Sequence, residues 1–371
     1  MIPVFKPWMG DEEAAAVAAV LKSGWIGLGP KTKEFEEKFA AFMGCKYAVA
    51  VNSATAALHL SMMVMKADGG EVITTPMTFV STNHAILYVG AEPVFCDIEP
   101  DTLNIDAGKI EALITPKTRA IVVVHYGGYA CDMDRVLDIA GRHGLKVIED
   151  CAHACGGEHK GRKLGTIGDI GCYSFHAVKN LATGDGGMVT TNDPEIYARL
   201  MKLRWVGISK DTWSREDQGT RNYAWYYNVE ELGYKYHMND INAAIGLVQL
   251  AKLEAGNRRR AEITAAYNKA FSGNPRIGVP APREYMTRPA CHNYVIKVQE
   301  RDALNAFLKE RGVTTGVHYI PNNHYDMYKN YRGQTPVSSE TWSRLLTLPL
   351  FPDLRDEEVK LISGLVMEFV K

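Results

Sequence analysis

The stretch SFHAVKNLATGDGG, Ser174 to Gly187, sets a single lysine, Lys179, between an apolar run and a glycine-rich turn. An ammonium group beside a buried strand is costly unless it is paired or neutral. A snorkelling side chain meets that demand by reaching water. So does a neutral amine that condenses with a carbonyl, because burial lowers its pKa and frees the nucleophile. VIEDCAHA closes an apolar run with Asp150 and sets His153 three residues on. A strand-end carboxylate either faces a ligand or caps a turn, and His153 is either its neighbour or a hydrogen-bonded core imidazole. VNSATAALHL places Asn52, Ser53 and Thr55 between a strand and a helix, where free N–H groups attract an anion or are simply capped by Ser53 or Asn52. PMTFVST offers the flat face of Phe79, a residue type more often spent in the core. CAHAC invites a metal, yet Cys151 and Cys155 flank alanines and no second ligand pair has zinc-like spacing, so none is expected.

Together these parts describe one ligand. A lysine that forms an imine, an acid facing a ring nitrogen, an anion nest aided by the Ser174 hydroxyl, and an aromatic face suit pyridoxal 5'-phosphate. A carboxylate beside the pyridine nitrogen keeps it protonated, and the protonated ring accepts a carbanion's electrons. The lysine serves twice: as the covalent anchor, then, once displaced, as the base that moves a proton between two carbons.

Positioning these groups falls to short β-branched runs that alternate with helical patterns. KYAVAVN precedes ATAALHLSMMVM, EVITT precedes VSTNHAILYVG, and EPVFCDI, RAIVVVHY, KVIED, DIGCYSF and GGMVTTN follow. Such alternation implies an α/β fold, a largely parallel sheet covered on both faces. Ligands of these sheets gather beyond the carboxyl ends of the strands. Residues 205–238 break the pattern with many aromatics, so a functional segment, a partner contact or a surface excursion is expected there. From Asn239 a long helical pattern leads to a second lobe, read as strand HNYVIKV, helix RDALNAFLKERG, strand TTGVHYI and helix DEEVKLISGLVMEFV. The expected division is a large cofactor-binding domain over residues 1–255, N-terminal segment included, and a small C-terminal α+β domain over 256–371.

The 371 residues carry a net charge of −1, which gives no reason to expect nucleic acid or an anionic membrane as partner. Arg258, Arg259 and Arg260 read as a solvated helix face. Seven scattered cysteines read as free thiols of a reducing compartment. AAAVAAVL follows Asp11, Glu12 and Glu13 and so reads as a helix, not a leader; with no apolar run of membrane-spanning length, the cytoplasm is expected. A nicotinamide oxidoreductase shares the alternation, but no G-x-G-x-x-G follows the first strand, and GDGG precedes a strand.

In order and spacing, SFHAVKNLATGDGG, VIEDCAHA, NSATAALHL and GWIGLGPK resemble the sugar-nucleotide aminotransferases of the fold-type I pyridoxal-phosphate enzymes. The resemblance runs over essentially the whole chain, from GWIGLGPKTKEFEEKFA to LTLPLFPDL. VNSATAALH, FHAVKN and GYKYHMNDINAAI carry a closer likeness to enzymes that aminate C4 of a 4-keto sugar nucleotide, such as those making UDP-4-amino-4-deoxy-L-arabinose. It implies that Lys179 is the Schiff-base lysine, Asp150 the ring nitrogen's partner and His153 the neighbour of the phenolic oxygen. It further implies that Thr55, Ala56 and Ser174 cradle the phosphate and that Phe79 lies over the ring. A homodimer is implied, in which the segment around GYKYHM reaches the other subunit's cofactor. There Lys235 and His237 stand where asparagine and arginine are commonest, and Lys235 is carried over as a phosphate contact. His318 and Tyr319, in VHYIPNNHYDMY, match a region that reaches the sugar nucleotide.

The implied reaction passes an amino group from L-glutamate to a nucleotide-linked 4-keto deoxy sugar by a ping-pong route, for lipid A, O-antigen or other cell-surface polysaccharide. A C3-aminating enzyme is the alternative, followed by a regulatory member without turnover. The latter is disfavoured because no DNA-binding helix pair or basic stripe is present. Lys179 stands against the dehydrating relatives, which carry histidine in its place.

Overall fold

A computed structural model describes residues 1–208 and 227–371. In chain order the first strands are β1 (Tyr47–Val51), β2 (Glu71–Thr74), β3 (Glu92–Phe95), β4 (Thr118–Val124) and β5 (Lys146–Asp150). A small ribbon of β6 (Glu158–His159) and β7 (Arg162–Lys163) precedes β8 (Ile170–Ser174) and β9 (Gly187–Thr191). Apart from that ribbon, these strands form one sheet in the order β1-β9-β8-β5-β4-β2-β3. Only β9 is antiparallel to its neighbours, so every other strand points the same way and their carboxyl ends share one edge.

Side-chain alternation explains why both faces are covered. Val49, Val51, Val72 and Val122 enter one apolar layer, whereas Ala48, Ala50, Ile73, Ile121 and Val123 enter the other. A strand buried on both sides needs a helix on each. The helices are α1 (Asp11–Ser23), α2 (Pro30–Met43), α3 (Ala54–Val64), α4 (Val80–Tyr88), α5 (Ala107–Ile110), α6 (Met133–His143), α7 (Pro194–Leu203) and α8 (Asp240–Phe271). Leu58 of α3, Ile86 of α4 and Leu200 of α7 close the first layer. Phe35 and Phe39 of α2, Val136 of α6 and Leu253 of α8 close the second.

α8 is about 48 Å long at 1.5 Å per residue. Its first half packs on the sheet, and its last turns carry Ile263, Tyr267 and Phe271 into a separate apolar cluster. There β10 (Tyr294–Lys297) pairs antiparallel with β11 (Leu345–Leu348), flanked by α9 (Arg301–Glu310), α10 (Pro336–Thr341) and α11 (Asp356–Phe369). Ile2 and Val4 of the N-terminal segment hydrogen-bond to this second lobe.

Two sequence expectations are corrected. TTGVHYI is not a strand: Val313 bridges Ile2, and Gly316 bridges Thr347, so no single neighbour runs alongside it to build a ladder. Arg260 is buried, because it shares the inward face of α8 with Gly256, Asn257, Ile263 and Tyr267, at helical spacing. The aromatic segment 205–238 lies partly outside the described residues. Among the described residues no helix is long and apolar enough to cross a membrane.

Candidate active site

The carboxyl edge of the sheet opens onto a cavity of about 370 Å³. Ser53, Ala54 and Thr55 reach it after β1, and Thr78, Phe79, Ser81 and Thr82 after β2. Asp150 and His153 come from β5 and the turn beyond it, and Ser174 and Lys179 from β8 and its following loop. Asp185 and Gly186 enter just before the reversed strand β9, and His318 and Tyr319 arrive from the second lobe. The size is that of a small-molecule site.

Asp150 is 3% exposed. Its Oδ1 accepts from Ala152 N–H at 3.0 Å, and its Oδ2 accepts from the Thr82 hydroxyl at 2.8 Å. Burial pushes the carboxyl pKa up, against the pull of these two donors and of Lys179. An ionised carboxylate has about four acceptor sites, so about two lone pairs stay available to a donor in the cavity. Lys179 follows the turn in which its own N–H donates to His176 O. Burial lowers its pKa to about 8, with Asp150 opposing, so about a tenth of it is the neutral amine at pH 7, far more than for an exposed lysine.

The amino end of α3 faces the same space. Ser53 is its N-cap and accepts from Ala56 N–H at 3.1 Å, while Thr55 Oγ1 donates to Ser81 Oγ at 3.0 Å. Ala56 therefore does not line the cavity, and Ser53 and Ala54 stand there with Thr55 instead. Gly187 explains part of GDGG. A Cβ on it would lie 2.6 Å from the Ser53 carbonyl carbon, so glycine lets β9 pass the cap. Phe79 precedes α4 and is 59% exposed at the cavity wall, an aromatic face not spent on the core.

The His153 ring lies nearly parallel to Tyr319 and stacked on His292, with ring centroids 5.9 and 4.5 Å away. Its Nδ1 accepts from Gly127 N–H at 3.3 Å, which leaves Nε2 protonated and donating to the Tyr319 hydroxyl at 2.9 Å. Burial and the nearby Lys179 and His318 hold the His153 pKa well below the ordinary imidazole range. His318 is lowered to about 4 by burial, then by Lys179. Lys235 is not brought to this cavity: its Nζ sits 3.5 Å over the Trp205 ring.

A carboxylate with spare lone pairs, a partly neutral lysine, a helix amino end with hydroxyls and an open aromatic face fit the chemistry of pyridoxal phosphate. Reading the sequence missed several side chains that hold the set. Thr82, on the first turn of α4, supports Asp150. Asn180, beside Lys179, donates to Asn257 Oδ1 at 2.8 Å and Ala290 O at 2.7 Å and accepts from His292 at 2.9 Å. Nothing local in the sequence announces that hub. Glu149, His125 and Cys151 lie close enough to share an ion, but both Glu149 oxygens are already engaged by backbone N–H groups and His125.

A family model described as the DegT/DnrJ/EryC1/StrS aminotransferase family matches residues 7–366. The spore coat polysaccharide biosynthesis protein SpsC of Bacillus subtilis (strain 168) is 44% identical over 382 residues, covering all of this chain and 97% of its own length. Aminotransferase TlmJ from Streptoalloteichus hindustanus superposes with a TM-score of 0.92 at 37% identity, over 99% of this chain and 98% of TlmJ. Spr1654 from Streptococcus pneumoniae, solved in PMP and PLP forms, matches its PMP form with a TM-score of 0.93 at 33% identity over 100% of both chains.

Proposed function

Since this chain belongs to the DegT/DnrJ/EryC1/StrS aminotransferase family and is a pyridoxal-phosphate-dependent sugar aminotransferase, we propose that it passes the amino group of L-glutamate to C4 of a nucleotide-linked 4-keto deoxy sugar. The product feeds cell-surface polysaccharide; the likeness to SpsC supports that destination. Support for C4 is the closer resemblance carried by VNSATAALH, FHAVKN and GYKYHMNDINAAI. The observation that carries the reaction is the convergence of Asp150 and Lys179, from the adjacent parallel strands β5 and β8, on one cavity.

When bound, pyridoxal phosphate supplies an aldehyde that captures an amine and a protonated ring that accepts electrons from a deprotonated carbon. Asp150 holds the proton on the ring nitrogen. Lys179 Nζ would hold the cofactor and, as a neutral amine, would take a proton from the donor's α-carbon and give one to the sugar carbon. Thr55, Ala56, Ser174 and the α3 amino end would bind the phosphate, the Ala56 N–H being engaged by the Ser53 hydroxyl. Phe79 would lie over the cofactor ring, and neutral His153 would adjoin its phenolic oxygen. His318 and Tyr319 meet the sugar nucleotide at the second-lobe wall.

The acting unit in this reading is a homodimer in which Lys235 serves the partner's phosphate; its absence from its own chain's cavity supports this. In this reading the lobes divide inside α8 as residues 1–255 and 256–371; the change of its apolar partners from the sheet layer, up to Leu253, to the second cluster, from Ile263, supports a division in this part of the helix. Seven unpaired thiols favour the reducing cytoplasm.

The test is mass spectrometry of products formed from isotopically labelled L-glutamate and UDP-, dTDP- or GDP-linked 4-keto and 3-keto sugars. The expected product carries the label at C4. Label at C3 would establish the alternative regiochemistry, and no labelled sugar from any of the panel would overturn the substrate class.

A further inference from the structure

We propose that Thr82 is a positioning residue for Asp150: its hydroxyl, oriented in turn by Thr78, holds Oδ2 so that the carboxylate stays ionised and aimed at the ring nitrogen. This rests on Asp150 being the cofactor's ring partner.

The geometry is a two-hydroxyl chain. Thr82 Oγ1 lies 2.8 Å from Asp150 Oδ2, and Thr78 Oγ1 lies 2.8 Å from Thr82 Oγ1. A hydroxyl has one proton to give. With Asp150 ionised, Thr82 gives its proton to the carboxylate, so Thr78 must donate to Thr82. A proton placed on Oδ2 would have to be given to Thr82 and would cost the carboxylate the hydroxyl's donation, so this arrangement favours the charged form at Oδ2. The other contact on the carboxylate, Ala152 N–H, can only donate and so favours the charged form.

The far end of the chain is fixed as well. Asn322 from the second lobe is fully buried and donates to Thr78 O at 2.8 Å, while Asn83 donates to Asn322 Oδ1 at 2.7 Å. The turn that carries Thr78 into α4, on whose first turn Thr82 lies, is thus tied to the loop that brings in Tyr319. Around Asp150, Lys179 and His125 favour its charge, whereas Glu149, Cys151, Cys172 and Tyr319 are neighbours that do not. Losing Thr82 would leave Ala152 N–H as the one direct donor to a buried carboxylate among the described residues.

The experiment uses the full-length enzyme loaded with pyridoxal phosphate. Thr82→Val, Thr82→Ser, Thr78→Val and Asp150→Asn are compared by pH titration of the lysine-bound cofactor's visible absorption and by cofactor dissociation constant. Thr82→Val should displace the titration midpoint and weaken cofactor binding about tenfold. Thr82→Ser should titrate as wild type, and Thr78→Val should move the same way by less. Borohydride labelling of Lys179 should persist in all the threonine variants. If Asp150→Asn shifts the titration and Thr82→Val does not, the proposal is overturned, whatever Thr82→Val does to stability. If neither shifts, the fault lies with Asp150 as ring partner. Should Thr82→Val fail to fold, Thr82→Ala carries the same expectation and the same overturning result.

Discussion

Glu149 and Asp150 are consecutive carboxylates on β5, both buried, pointing to opposite faces of the sheet. Glu149 is fully employed: its oxygens accept from Gly165, Ile167 and Gly168 N–H at 2.7–2.8 Å and from His125 Nε2 at 3.0 Å. Burial alone would raise its pKa, but His125 and the backbone donors outweigh it and the net direction is down. Asp150 has two donors, and burial wins, so its pKa goes up. One carboxylate ties the 164–168 loop to the sheet. Its neighbour is left short of partners on the side that faces the cavity, and that shortage is what a cationic ligand ring would fill.

The contrast breaks most sharply at Lys179. Lys179→Ala should lower transamination by about 10⁴-fold or more while leaving a folded, colourless protein. A yellow, active Lys179→Ala enzyme would end the assignment.

Asp150 and Glu149 should then exchange phenotypes. Asp150→Asn should cut turnover by about 10³-fold, since a neutral amide no longer secures the ring proton. Glu149→Gln should instead cost about 3 kcal/mol of stability, because an amide cannot accept from all the donors left behind. The signs with pH also oppose. Glu149 has a lowered folded pKa, so its contribution is full above the unfolded glutamate range and disappears as pH falls through the folded value. Asp150 has a raised folded pKa, so the apo protein loses stability as pH climbs through that value, and apo Asp150→Asn should be the more stable at neutral pH. Urea denaturation of the apo proteins across pH, beside steady-state assays, checks both halves. Equal stability losses in the two variants would erase the distinction.

How much of this could be read beforehand follows the same divide. Asp150, Ser174 and Thr55 were legible because each ends an apolar strand or opens a helix, and Lys179 because it stands in the loop just beyond one, so strand direction sends them to one edge. The backbone donors to Glu149 lie 16–19 residues away, and Asn322 lies 239 residues from Asn83, at distances where no local pattern operates. TTGVHYI has strand composition, but strand formation depends on a continuous neighbour, and its neighbours are Ile2 at one point and Thr347 at another. Arg260 was misjudged because three consecutive arginines hide which one falls on the inner stripe of a helix.

Lys179 gives the comparison a kinetic form. Its lowered pKa of about 8 arises from burial, with Asp150 pulling the other way. Only the neutral amine attacks the cofactor aldehyde. The rate at which apo enzyme captures pyridoxal phosphate should therefore rise about tenfold per pH unit below that value and level off above it. Stopped-flow absorbance would follow it. A rate that keeps rising past pH 9.5 would mean that the amine is solvated like any surface lysine.

The smallest effect belongs to Tyr319, where the unfinished half of the site meets the second lobe. Gly127 N–H donates to His153 Nδ1, so the His153 proton sits on Nε2 and is given to the Tyr319 oxygen. The tyrosine's own proton is then free to point into the cavity towards a sugar oxygen. Tyr319→Phe removes one neutral hydrogen bond, which corresponds to about 3–10-fold in kcat/KM. That loss should fall on the keto-sugar half-reaction alone, because the His153 tautomer is set by Gly127 and not by the phenol. Single-turnover measurements of each half-reaction separate the two, and an equal loss in the glutamate half would mean that Tyr319 acts through His153 on the cofactor instead.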